Sequence, residues 1–357
     1  MLIYWIMFAF PAVLALVEQA DDRDRQRFAP TWVIALLGLS LIIGFRWETG
    51  GDWGNYARMV EQAFWDPTQF QLFSDPAFTA LTVFAARTDL GILLITLVSG
   101  ILMALALTRF CLVQPRPWLC MAVAVPYLVV VMGMGYIRQG MAISFLMLGL
   151  ASLRHGQVIR YSAWVLVGSL FHSTALILLP LGVLVTNRNI VLRGGLALVM
   201  LAALSYAIIA ARAETFLTNY IEAGMSSSGA AIRLFMTALP GLLLLVFRDR
   251  FRLEGAERGV WLALAAAAIA ALGLLFVFRS STVVDRLGLY LLPLQCFVYA
   301  RVPAAFANDQ RGERLLTAAI LALYAAAFFV WLNYAVNVEY WIPYRSYLFE
   351  DAICLQC

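Results

Sequence analysis

The chain has 357 residues, of which 63% are hydrophobic and 13% charged, with a net charge of +4. A soluble domain carries roughly 45–50% apolar and about 25% charged residues, and no water-soluble fold of this length could bury the excess, so the class is a polytopic membrane protein. Every basic residue is Arg and none is Lys; the positive charge is spread over loops, which argues against nucleic acid, and two His exclude a His-rich metal site.

A hydrocarbon core of about 30 Å needs roughly 20 helical residues, fewer where a span is short. In chain order, apolar runs predict spans at Leu2–Val17, Thr31–Phe45, Leu90–Thr108, Trp118–Gly135 and Ile137–Leu153. Further runs follow at Gly194–Ala211, Leu234–Phe247, Gly259–Phe278, Leu287–Ala300 and Leu315–Leu332. The first has no basic leader and no small-residue cleavage site, so it reads as a spanning helix and not a signal peptide. The run Tyr161–Val185 is either one crossing or two short helices returning to the same side. A hairpin gathers most of the Arg on the cytoplasmic face, including Arg248, Arg250 and Arg252; a single crossing divides them almost evenly. The positive-inside bias therefore selects the hairpin, with Gly168-Ser169 and His172-Ser173-Thr174 as its break.

The expected fold is one all-α integral membrane domain over 1–357. It has about ten full transmembrane helices, a short helical hairpin (161–185) and an interfacial helix (76–86) opened by Asp75-Pro76. Both termini fall outside, as do a loop over 46–89, a loop over 212–232 and an aromatic tail over 334–357. Trp331, Tyr334, Tyr340, Trp341, Tyr344 and Tyr347 fit an interface belt. Cys111, Cys120 and Cys296 read as small hydrophobes, and Cys354 and Cys357 as part of a disordered tail. The loops Asp21–Arg27 and Arg248–Arg258 read as topology determinants, and His155 as a solvated loop residue.

The densest polar stretch is Phe45–Tyr56. Arg46 ends a short span and is expected near the headgroups, where a cation is usually paired or functional. Asp52 and Tyr56 are four residues apart and share a face of any helix that starts near Asp52, which Asp52 can also cap. Its glycines are expected to let the backbone approach a large ligand. Arg138 begins an apolar helix, against the macrodipole, so it needs a partner: a carboxylate such as Asp52 or Glu48, or a ligand phosphate. His172, followed by Ser173 and Thr174, suggests a polar pocket. Arg279 and Arg286 lie near the outer ends of neighbouring helices, Asp285 can neutralise either, and Arg286 and Tyr290 share a helical face. Four Arg with few carboxylates suit a polyanion such as pyrophosphate.

The spacing Arg46-x3-Gly50-x-Asp52-x3-Tyr56 resembles the signature of the EpsG/Wzy-type family of bacterial polysaccharide polymerases. In the family's order, Asp75-Pro76-Ala77-Phe78 is similar to its Glu-Pro-Gly-Phe. Ile137-Arg138-Gln139-Gly140-Met141-Ala142 is similar to its Ile-Arg-Gln-x-x-Ala, and Phe171-His172-Ser173-Thr174-Ala175 to its Phe-His-x-Ser-Ala. Asp285-Arg286 to Tyr290 and Tyr340–Tyr344 also match family positions. Asp75, Ala77 and Thr174 depart from the usual residues.

The resemblance implies a bacterial inner-membrane glycosyltransferase of the C class, active on the periplasmic face without a metal or cofactor. It would move a growing glycan from undecaprenyl pyrophosphate to the non-reducing end of the next lipid-linked repeat, in capsule, O-antigen or exopolysaccharide synthesis. Its partners would be the lipid-linked oligosaccharide, membrane lipids and a chain-length regulator or export proteins. Catalytic candidates are Asp52 and His172, either of which can act as base. Substrate-binding candidates are Arg46, Tyr56, Arg138, Gln139, Arg279, Arg286 and Tyr290. A lipid-linked oligosaccharide flippase and a membrane acyltransferase are the rival readings.

Overall fold

A computed structural model describes residues 1–18, 30–69, 75–153, 156–183, 199–200, 202, 229–277 and 281–349. Arg279, most of the run 194–211, His155, the loop Asp21–Arg27, most of the loop 212–232 and the Cys354/Cys357 end of the tail lie outside them. The described chain is helical, with two strands of two residues each.

The apolar runs become helices close to their expected bounds. Leu2–Val17 and Ile137–Leu153 coincide with them, and Pro30–Gly44, Ile92–Leu112, Ala230–Val246, Gly255–Leu274 and Gln310–Tyr334 shift by a few residues. Ile92–Leu112, Gly255–Leu274 and Gln310–Tyr334 are long and apolar enough to cross a membrane; seven other apolar segments are shorter, at 10–17 residues. Two of the expected spans are interrupted within the described residues. Trp118–Gly135 changes from α-helix (Pro117–Ala124) to a π-helix (Val125–Gly133) at Pro126. Proline lacks the N–H that the α ladder needs. Leu287–Ala300 is broken by a 3-10 turn at Leu289–Leu291 before Pro293.

The run 161–185 folds back on itself, as the Arg distribution predicts. The helix Val158–Ser169 ends at a turn over Leu170–His172, and a 3-10 segment Ser173–Gly182 returns along it. Tyr161 donates its phenol to the Leu178 carbonyl at 2.6 Å, and Gly182 lies against Val158, Tyr161 and Ser162. His172 is therefore at the hairpin tip.

Two packing features carry the site. The helices Pro30–Gly44 and Ile92–Leu112 cross where Gly44 meets Gly100: a Cβ on Gly100 would stand 2.7 Å from the Gly44 nitrogen. Thr96 seals this crossing by donating to the Gly44 carbonyl at 2.7 Å, a small-residue contact of the kind that joins membrane helices. The second feature is a satellite core. Tyr56, Val60, Ala63, Phe78 and Ala85 pack with Ile95, Ile137 and Met141. Through it the helices Trp53–Trp65 and Pro76–Ala85 sit on the ends of two long helices and deliver Asp52 and Asp75 beside Arg138.

The tail departs from the interface-belt expectation. Arg345–Ser346 pairs antiparallel with Arg46–Trp47, Arg46 opposite Ser346. Trp341 is buried; its indole donates to the Val130 carbonyl in the π-helix at 2.9 Å, and its carbonyl accepts from the Tyr4 phenol at 2.6 Å. Tyr344 donates to the Ile42 carbonyl at 2.8 Å. An indole or phenol with a buried partner is worth more inside than at the headgroups. Tyr334 and Tyr340 remain exposed, as a belt requires.

Candidate functional site

The centre of the site is a residue that the sequence reading placed in a motif but not among the site residues. Asp75 precedes the helix Pro76–Ala85 at its N-cap position, yet its side chain makes no capping bond. Its carboxylate is buried, with 2% exposure, and accepts from two donors instead, with the His172 ring close by. Arg138 Nη1 donates to Oδ2 at 3.1 Å, the Ser173 backbone N–H donates to Oδ1 at 2.9 Å, and His172 Nδ1 lies 3.7 Å from Oδ2. The N–H groups that a capping Asp would bond, those of Ala77 and Phe78, donate instead to the Leu170 carbonyl, at 2.9 and 3.4 Å. These bonds hold the hairpin tip in place independently.

Arg138 was expected to pair with a carboxylate such as Asp52 or Glu48, or with a ligand phosphate; it does pair with a carboxylate, that of Asp75. The guanidinium also stands 5.9 Å from the Tyr56 ring centroid and 5.8 Å from that of Phe78. Those two rings are edge to face at 5.5 Å. Cation–π contact and the ion pair together hold the fork in one orientation. The side chain keeps 33% exposure, and its Nε has no hydrogen-bond partner among the described residues. That Nε is itself enclosed, so what an anion can reach is the exposed remainder of the side chain. Glu48 pairs with Arg345 instead.

Asp52 begins the helix Trp53–Trp65 as expected, and Tyr56 follows one turn later. The Asp52 side chain makes no cap bond and accepts from Asn55 Nδ2 at 3.4 Å. Burial raises its carboxyl above the usual 3.8, while the nearby Arg286 and Arg138 cations oppose the rise. Asp52, Arg286 and Arg138 thus share one electrostatic neighbourhood.

Further bonds tie the distant segments together. Gln139 Nε2 donates to the Arg286 carbonyl at 2.6 Å. The Tyr290 phenol and the Thr174 hydroxyl are 2.9 Å apart. Arg286 and Tyr290 differ in their surroundings. The chain tightens to a 3-10 turn at Leu289, so Arg286 is exposed and Tyr290 buried. Asp285 does not pair with Arg286; it grips Arg233, which sequence reading did not single out, with Nε–Oδ1 at 2.9 Å and Nη2–Oδ2 at 2.7 Å. Adjacent helical residues point in different directions, which is why Asp285 and Arg286 part.

Arg46 belongs to the layer beneath. It is fully enclosed, at 0% exposure, and Nη1 donates to the Ile43 carbonyl. Its Nε and Nη2 have no hydrogen-bond partner among the described residues. Burial pushes its guanidinium down to about 10, with Tyr344, Tyr4 and Tyr56 nearby. The tail strand covers it. Two of the three glycines next to it approach protein. Gly50 has φ of 110°, and a Cβ there would stand 2.2 Å from the Met134 carbonyl oxygen; Gly51 lies against Trp341, and only Gly54 of the three faces open space.

The sequence candidates therefore form two layers. Asp52, Arg138, His172 and Arg286 keep accessible surface, while Arg46, Tyr56, Gln139 and Tyr290 are buried supports. A separate apolar cavity of about 510 Å³ lies between Ala230–Val246 and Gln310–Tyr334, lined by Met236, Leu239, Val330 and Trp331, with Arg233 also on its wall. Among the described residues no group of His, Cys, Asp and Glu is arranged to hold a metal ion.

A family model described as the EpsG family matches residues 31–346. The chain belongs to the EpsG family. This is a family of the Wzy polymerase type, and the match spans the whole cluster, from Arg46 to the tail strand at Ser346. No curated protein and no solved structure matches. EpsG membership and the apolar helices make this a membrane protein with a role in polysaccharide synthesis.

Proposed function

We propose that this EpsG-family chain is a polysaccharide polymerase: an inverting, metal-independent glycosyltransferase of the C class with about ten crossings in the bacterial inner membrane. Its site faces the periplasm. The donor is a growing glycan on undecaprenyl pyrophosphate, and the acceptor is the non-reducing end of the next lipid-linked repeat. A chain-length regulator or export proteins are the expected partners.

The observation that carries this reading is Asp75 3.7 Å from the His172 ring, beside an Arg138 whose side chain is 33% exposed. In a single displacement the acceptor hydroxyl attacks the anomeric carbon and the bond to the pyrophosphate oxygen breaks. The acceptor proton must go to a base, and negative charge builds on the leaving group. A carboxylate 3.7 Å from Nδ1 of His172 favours the tautomer protonated on that nitrogen, with Nε2 as the proposed acceptor of the proton, and it stabilises the imidazolium that forms. Arg138 and Arg286 answer the charge on the pyrophosphate through forked donors, with no metal required by the proposal. Asp52, between those two cations, orients the acceptor. Arg46, Tyr56, Gln139 and Tyr290 hold the frame. The apolar cavity beside Arg233 has the volume range of ligand sites and suits an isoprenoid chain.

A flippase spreads its polar groups through membrane depth. Here the described polar cluster gathers at one end of the helices, which favours chemistry there. The test is polymerisation of purified lipid-linked repeats by the protein and by His172→Ala. The proposal expects long glycan from the first and single repeats from the second. Full-length product from His172→Ala would remove the base assignment. Repeats trapped on the cytoplasmic leaflet of a deletion strain would point to a flippase.

A further inference from the structure

At the end of the bundle away from His172 lies a second, polar cavity. Helix Ala230–Val246 carries Arg233 near its start, and some 20 Å of helix separate that residue from the loop at its other end. In this loop Phe251 and Leu253 are buried and pin the backbone, while Arg250 and Arg252 stay exposed. Arg252 adopts φ of 48°, a left-handed conformation that costs energy in any residue but glycine.

These two Arg line a cavity of about 300 Å³ together with Arg301 and Glu257. Arg301 comes from a different part of the chain and is locked. It stacks on Phe297 with the guanidinium carbon 3.6 Å from the ring centroid, donates to Glu257 at 2.8 Å and bonds Gln114. Asp249 is turned toward Arg258, 3.6 Å away. The cavity lining therefore holds three cations and one carboxylate. A topology signal needs only the charge count of the loop. It explains neither the left-handed Arg252 nor the convergence of Arg301 on the same space.

We propose that this cavity binds a phosphate group, carried by a lipid headgroup or by a soluble phosphate compound. Arg301 is held by Glu257 and Gln114, and Arg250 lies over the Phe306 ring with the guanidinium carbon 5.1 Å from its centroid, so two exposed Arg beside a fixed third offer forked donors suited to a phosphate. The site is independent of the polymerase reading, since none of its residues touches the His172 cluster.

The experiment uses the full chain. Retention of radiolabelled inorganic phosphate is measured in detergent. Retention of phosphatidylglycerol against phosphatidylcholine is measured by native mass spectrometry. Two double variants are compared, each removing two charges from the same loop: Arg250→Gln with Arg252→Gln, and Arg248→Gln with Arg258→Gln. The first pair lines the cavity and the second does not. The first should weaken retention about tenfold, the loss of at least one charge-assisted hydrogen bond, and the second by less than about twofold. Thermal midpoints of both variants check that they fold. Phosphate retained alone identifies a soluble ligand, and selective retention of phosphatidylglycerol identifies a headgroup. Equal losses in the two variants would reduce the effect to diffuse charge and overturn the proposal, as would a wild-type chain that retains neither probe.

Discussion

Asp75 holds His172 at 3.7 Å across a join between two segments far apart in the chain, the start of the helix Pro76–Ala85 and the tip of the hairpin 158–182. The same carboxylate binds Arg138 at 3.1 Å. One buried anion thus aligns the proposed base with one of the cations proposed for the leaving group. Asp75→Asn keeps the shape and the hydrogen-bonding reach but removes the charge. Polymerisation on purified lipid-linked repeats should fall by roughly 10²–10⁴-fold, the range for disabling a general base or its orienting carboxylate. Binding of the lipid-linked donor should change far less. An Asn variant with full turnover would leave Asp75 only a structural part.

Arg138→Lys keeps the charge but loses the planar fork and the contact with the Tyr56 and Phe78 rings. Donor turnover should drop by about 10- to 100-fold, equivalent to one charged hydrogen bond of about 1.5–3 kcal/mol. Kinetics at varied donor concentration measure it.

Asp52 offers a pH test. Its carboxyl is raised by burial, so the folded state binds its proton more tightly than the unfolded state does. The stability that the protonated form contributes is fully present below the unfolded value of 3.8 and is lost as pH rises through the higher folded value. At neutral pH the ionised group therefore costs stability. Asp52→Asn should raise the thermal midpoint at pH 7, and the gain should vanish on acidification below that window. Polymerisation should fall in the same variant.

Gly50→Ala brings a methyl group 2.2 Å from the Met134 carbonyl oxygen at φ of 110°. Strain of this type costs on the order of 1–3 kcal/mol before the clash is counted. The variant should lose thermal stability and folded yield, whereas Gly54→Ala, which faces open space, should lose little.

Arg46→Lys separates a buried support from a direct phosphate ligand. Because Arg46 is enclosed beneath the tail strand, its loss should lower thermal midpoint and activity together. A drop in activity with an unchanged midpoint would place the guanidinium on the substrate.

Much of the helical pattern was legible in the chain itself. Leu2–Val17, Ile137–Leu153 and the helix start at Pro76 follow from apolar runs and from proline at a first turn, both local effects. The hairpin turn was legible too, because Arg distribution responds to which side of a membrane each loop occupies. Arg138 stood out because a cation at a helix start opposes the local dipole. Its partner did not, since the choice among Asp52, Glu48 and Asp75 depends on how the satellite core seats two short helices. The same holds for the pairing of Asp285 with Arg233, for the strand that joins Arg46 to Ser346, and for the burial of Trp341. Local propensity and hydrophobic transfer act over a few residues and can be read along the chain. Ion-pair partners and enclosure are set by which helix ends meet in space, and only the tertiary structure decided those.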